Sequence, residues 1–91
     1  MAIEVRVIAT CRSGDEHHHI THLVDDREQQ WPVSEVIERT EAKALLFYTL
    51  VGGKRADVGV QRVGLRAWVQ TYADRYWNNN LLALPTRRRA A

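Results

Sequence analysis

A single cysteine, Cys11, leaves no partner for an intramolecular disulfide, which fits a reducing compartment. No apolar run approaches the roughly 20 residues that a membrane-spanning helix requires. The opening MAIEVRVIAT is interrupted by Glu4 and Arg6, so it lacks the continuous hydrophobic core of a secretory signal. These absences point to a cytoplasmic protein without a membrane segment. A glycine-rich phosphate loop, a paired-carboxylate constellation, a Ser-His-Asp set and zinc-ribbon spacing are all missing. Enzymatic activity and a bound cofactor are therefore not expected.

A basic surface is also missing, although the 91-residue chain carries a formal net charge of +2. The excess sits in Arg87, Arg88 and Arg89; without that run, acidic residues outnumber basic ones. Nucleic-acid binders usually spread their cations over a face or along an element. What is present is ordinary globular composition, 45% hydrophobic and 26% charged residues, in a length suited to one domain. The expected organisation is a single domain over residues 1–86 with a basic, solvated tail over 87–91.

Residues 3 to 11 alternate, with Ile3, Val5, Val7, Ala9 and Cys11 on one side, as in a strand with one buried face. Ser13 to Glu16 supply a turn, and residues 17 to 24 read as the returning strand. After the polar DDREQQ stretch, Ser34 is a suitable helix cap and Glu35 suits the first turn. Val36, Ile37 and Thr40 share one face of a helix of about two and a half turns. LLFYTLV at residues 45 to 51 predicts a third strand. Gly52-Gly53 suits a two-residue hairpin, whose register sets Phe47 against Val58 and Leu45 against Val60. Gly64 turns the chain into a last strand over 65 to 72, and ADRYWNNNLLALP reads as a loop anchored by leucines. The resulting fold class is α+β: a small, mostly antiparallel sheet or open barrel in the order ββαβββ, with one helix packed on it.

Four histidines fall within six residues: His17, His18, His19 and His22. On a strand, His17 and His19 would share a face about 6.6 Å apart, a workable distance for two ligands of one metal. No third or fourth ligand is evident. The four-residue turn would set Cys11 opposite His18 and Arg12 opposite His17, raising a Cys–His pair as another possibility. The plain alternative is that His17 to His19 decorate a wet strand start while His22 packs near Val7.

Trp68, Tyr72, Tyr76 and Trp77 cluster in the last third with Arg66 and Arg75 nearby. Aromatics interleaved with arginine can bind single-stranded nucleic acid, whereas strand spacing favours a small second core in which Trp77 covers the Leu81–Leu84 turn. Asp74 and Asn78 to Asn80 do not match a calcium loop, and local turns suit them better.

Four segments resemble a bacterial family, domain of unknown function 3892: HHHITHL at 17–23, WPVSEVI at 31–37, FYTL with GGKRADVGV within 47–60, and TYADRYWNNNLLALP at 71–85. The chain departs from that pattern at Arg75, where the family tends to have glycine, and at Asn79, where it has an acidic residue. It also lacks the terminal Leu-Pro-x-Cys. The resemblance implies a common fold and no established activity. It draws attention to Asp74, Trp77 and Asn80 as candidate binding residues, or as residues whose hydrogen bonds close the C-terminal loop onto the sheet. The function expected from all this is a small accessory protein that binds another protein or a second copy of itself. A metal-binding module through the histidines, or weak nucleic-acid binding through the aromatic segment and tail, is the alternative.

Overall fold

A computed structural model describes residues 3–88. The elements run β1 (Ile3–Arg12), a 3-10 turn (His17–His19), β2 (Ile20–Asp25), β3 (Gln30–Pro32) and α1 (Val33–Glu41). They continue with β4 (Leu45–Val51), β5 (Lys54–Val63), β6 (Arg66–Ala73), β7 (Tyr76–Asn78) and a single turn, α2 (Asn80–Ala83). Seven strands form one sheet in the order β3-β2-β1-β4-β5-β6-β7. It curls as an open half-barrel, which brings the 3-10 turn against β6.

The α+β class holds, but the order and the antiparallel expectation hold only in part. Short β3 and β7 join the sheet at its two ends, where the expectation had polar loops. β1 pairs β4 in parallel, and every other neighbouring pair is antiparallel. Parallel neighbours need a long crossover, and β2, β3 and α1 together supply it.

α1 places Val33, Val36, Ile37 and Thr40 at helical spacing, and its hydrophobic members pack on the core. Its cap is Pro32, whose constrained φ suits the entry, so Ser34 lies inside the first turn and does not cap it. At the other end Lys43 takes φ 57°, with Lys43 N–H bonded to Thr40 O and Ala44 N–H to Arg39 O, a Schellman closure. The core gathers Val7, Ile20, Leu23, Val36, Phe47, Val58, Val69 and Leu81.

A one-residue bulge changes β1 most. Val7 pairs with Asp25 but Ala9 pairs with Val24, leaving Ile8 as the extra residue. Side chains beyond it therefore swap faces. Ala9 and Cys11 join Val24 in a separate small cluster, away from the main core that holds Val7. In the β4–β5 hairpin the predicted register holds, with Val51 opposite Lys54. The ladder stops at Tyr48 and Asp57, so Phe47–Val58 and Leu45–Val60 lie beyond its end.

Candidate binding surface

Both helices lie on one face of the sheet, since Val36 of α1 and Leu81 of α2 belong to the same core as Phe47, Val58 and Val69. Strand alternation sends the residues between those to the other face. There the registers align one row across five strands: Arg6 beside Tyr48, Tyr48 beside Asp57, Asp57 beside Tyr72, and Tyr72 beside Trp77. Arg55 binds this row together. Its guanidinium pairs with the Glu4 carboxylate and with Asp57 Oδ1 at 3.0 Å, and lies 4.3 Å from the centre of the Tyr48 ring.

The Tyr72 and Trp77 rings meet edge to face at 5.3 Å. They lie over Gly59, where an added Cβ would come within 2.9 Å of Tyr72 and 3.0 Å of Trp77. Even so, Tyr72 is 40% and Trp77 44% exposed. Trp77 thus packs on the outer face and not over the Leu81–Leu84 turn. Trp68 and Tyr72 share this face as their spacing predicted. Beyond the aromatic cluster itself, the sequence signal for the Tyr72–Trp77 contact is Gly59, a glycine inside a strand.

A cleft of about 370 Å³ opens beside the row, between residues 3–6 of β1 and the turn that follows β2. Asp25 organises its wall. Asp25 is 6% exposed, and its carboxylate accepts hydrogen bonds from Arg27 N–H and Gln29 N–H at 2.9 Å and from Trp31 Nε1 at 3.0 Å. Burial alone would raise its pKa; the three donors and the nearby Arg27 charge outweigh burial and hold it below the ordinary value. Sequence reading passed over Asp25, because its donors include two backbone amides and a tryptophan six positions away.

The other residues singled out from sequence lie elsewhere. Asp74 and Arg75 are the two turn residues between β6 and β7, with φ 52° and 72°. That left-handed pair suits an Asp-Gly sequence, so Arg75 holds a backbone conformation that favours glycine. Asn80 donates from Nδ2 to Thr49 Oγ1 at 3.4 Å, and its backbone N–H reaches Asn78 Oδ1 at 3.1 Å. The same Asn78 oxygen accepts from the buried Thr71 hydroxyl. This partly buried network ties the C-terminal turn to three strands through side chains of the sheet. Asp74, Trp77 and Asn80 do not converge.

His17, His18 and His19 occupy a 3-10 turn, where a strand was expected, so His17 and His19 do not share a strand face, while His22 lies in β2. His19 Nδ1 accepts the Glu16 N–H at 3.3 Å, and its ring fills the space where a Cβ on Gly14 would sit. His18 lies 3.3 Å from the Glu16 carboxylate. His17 Nε2 is buried without a hydrogen-bond partner, and burial lowers the His17 pKa. Cys11 lies opposite His22, Arg12 opposite Ile20 and Val7 opposite Asp25, in place of the predicted partners. Cys11 is 2% exposed. Among the described residues, no group of three or more His, Cys, Asp or Glu is arranged to hold a metal ion.

Of the arginine run, Arg87 pairs with Glu28, and its N–H bonds to Thr10 O at 2.8 Å. The Arg88 carbonyl accepts from Gln30 Nε2 at 2.9 Å, and Arg89 falls outside the described residues. Among the described residues, no helix is long and apolar enough to cross a membrane.

Neither the curated proteins nor the solved structures contain a match to the chain. A family profile matches residues 2–85, nearly the whole length, and includes every residue of the five-strand row and of the Asn80 network. The chain belongs to the family described as protein of unknown function (DUF3892).

Proposed function

We propose that this domain is a non-catalytic accessory module that binds another protein through its helix-free sheet face. The observation that carries the reading is the Tyr72–Trp77 pair, more than a third exposed at the end of the Arg6–Tyr48–Asp57 row. Aromatic rings of this kind, set among arginine, are the side chains that anchor protein interfaces. The charge balance of the face favours a protein over a nucleic acid. Arg55 is spent on Glu4 and Asp57, and beside Tyr72 the cations Lys54 and Arg75 are interspersed with the carboxylates of Asp57 and Asp74, a mixed-sign surface in place of a cationic stripe. A binding role is also favoured over chemistry by the buried state of Cys11 and by the turn-building contacts of His19.

The test compares capture by the wild type and by the Tyr72→Ser, Trp77→Ser double variant, each checked for an intact melting transition. A third bait, Arg6→Glu, changes the charge of the row without touching packed rings. A partner held by the wild type and lost by both variants supports the face as the interface. Equal capture by all three baits removes the proposal.

A further inference from the structure

The two halves of β1 are paired differently. Around Thr10 the strand has neighbours on both sides, β2 on one and the C-terminal segment on the other. Thr10 N–H donates to Pro85 O at 3.0 Å, and Arg87 N–H returns to Thr10 O. Residues 3–6 pair with β4 alone. Their other edge faces the 370 Å³ cleft, and among the described residues no strand pairs with it, since the β1–β2 ladder begins at Val7.

An unpaired strand edge invites another chain, and folded proteins usually shorten or cover such edges. The sheet does this elsewhere. β3 has three residues and ends in Pro32, β7 has three residues, and the 3-10 turn packs against β6. The edge at residues 3–6 has no such cover.

The cleft also specifies what could lie there. Alternating N–H and C=O groups along an edge are complemented by an extended polypeptide backbone. Val5, Leu45 and Trp31 line the cleft and pack against the core, offering an apolar seat for one side chain of an added strand. Of the charges on its walls, Glu4 is taken by Arg55 and Asp25 by its three donors. Among the described residues Arg6, Arg27 and Asp26 form no ion pair, although the Arg27 charge also acts on Asp25, so the walls offer two cations to one anion. A second copy of this domain fits poorly, because antiparallel pairing through the same edge would bring each Asp25–Gln29 turn against the other strand.

We infer that the cleft beside residues 3–6 accepts an extended segment of a partner protein as an added strand, with an apolar side chain seated on Val5, Leu45 and Trp31 and an acidic side chain beside Arg6 and Arg27. This rests on the protein-binding reading above and names the form the partner takes at this edge.

The experiment is an NMR titration of the labelled full chain with a capped Glu-Val-Glu-Val-Glu-Val peptide. Two control peptides accompany it, one N-methylated at alternate backbone amides and one with lysine in place of glutamate. The expected result is amide shifts at residues 3–6 and 26–31. N-methylation should weaken binding at least about tenfold, since it removes strand hydrogen bonds. The lysine peptide and the Arg6→Glu variant should each bind the parent combination's counterpart more weakly. No shifts up to about 1 mM peptide, or equal binding by the N-methylated peptide, overturns the inference. So does concentration-dependent self-association of the wild type that perturbs residues 3–6, which would assign the edge to a second copy. If the peptide fails while the Tyr72/Trp77 and Arg6 variants still lose a protein partner, the sheet-face reading stands and the strand inference alone falls.

Discussion

The two ends of β1 carry opposite assignments of order. Its distal half holds Ala9, Thr10 and Cys11 at 2% exposure or less, flanked on both sides and followed by the histidine turn. Its proximal half exposes Ile3, Glu4 and Arg6 and has one paired edge. The conspicuous residues cluster at the distal end, where they build a turn and a seam. The surface proposed here for binding lies at the proximal end and runs from there across five strands. The histidines and the cysteine were thus a poor guide to where the fold leaves an open edge, whereas Tyr72 and Trp77 do lie on the exposed sheet face.

Asp25 stands at the junction between the halves, so its loss should blur the contrast most. Asp25→Ala leaves two backbone amides and the Trp31 indole without their acceptor. It should cost about 2–3 kcal/mol in chemical denaturation. The pH dependence follows from the sign of its shift. With its folded pKa below the unfolded value, the carboxylate stabilises fully above the unfolded pKa, and that contribution disappears as pH falls through the folded pKa. Asp25→Asn should remove this part of the acid sensitivity, and an unchanged acid midpoint would contradict the assignment.

Gly59→Ala attacks the other side of the comparison. A methyl at 2.9–3.0 Å from two rings must push Tyr72 and Trp77 outward. The expected cost is about 1–3 kcal/mol, with a red shift of tryptophan emission; unaltered fluorescence would place the rings elsewhere. Arg75→Gly should sharpen the contrast by relieving a left-handed residue in the β6–β7 turn. A gain of about 1 kcal/mol is expected, and a lower melting temperature would show that the Arg75 side chain matters more than its backbone. The smallest effect concerns His17. Its folded pKa is below 6.5, so stability is complete above pH 6.5 and falls as pH drops toward the folded pKa. His17→Gln should flatten that slope, read from melting temperatures between pH 7 and 5.

The hairpin at Gly52-Gly53, the amphipathic face of α1 and the positions of β4 to β6 were legible because each depends on neighbours within a few residues. The β1 pattern misled at one point. A bulge at Ile8 adds no signal to an apolar run, yet it turns Ala9 and Cys11 away from the main core. The histidine strand failed for a related reason: a capping contact from His19 to Glu16 stabilises a tight turn that alternation does not register. In the candidate surface, Trp77 was noticed as an aromatic and Asp74 as a turn former. The Arg6–Tyr48–Asp57–Tyr72–Trp77 row was invisible, because adjacent members are separated by up to 42 positions and meet only through strand register.

From sequence alone came the α+β class, the helix, the central hairpins and membership of the family, since local periodicity and turn chemistry operate over short stretches of chain. Which strand lies beside β1, which face carries the aromatic pair and which edge remains open were decided by tertiary structure. Those outcomes follow from long-range pairing and from one inserted residue, whose effects depend on what packs opposite and not on the residue's own preference.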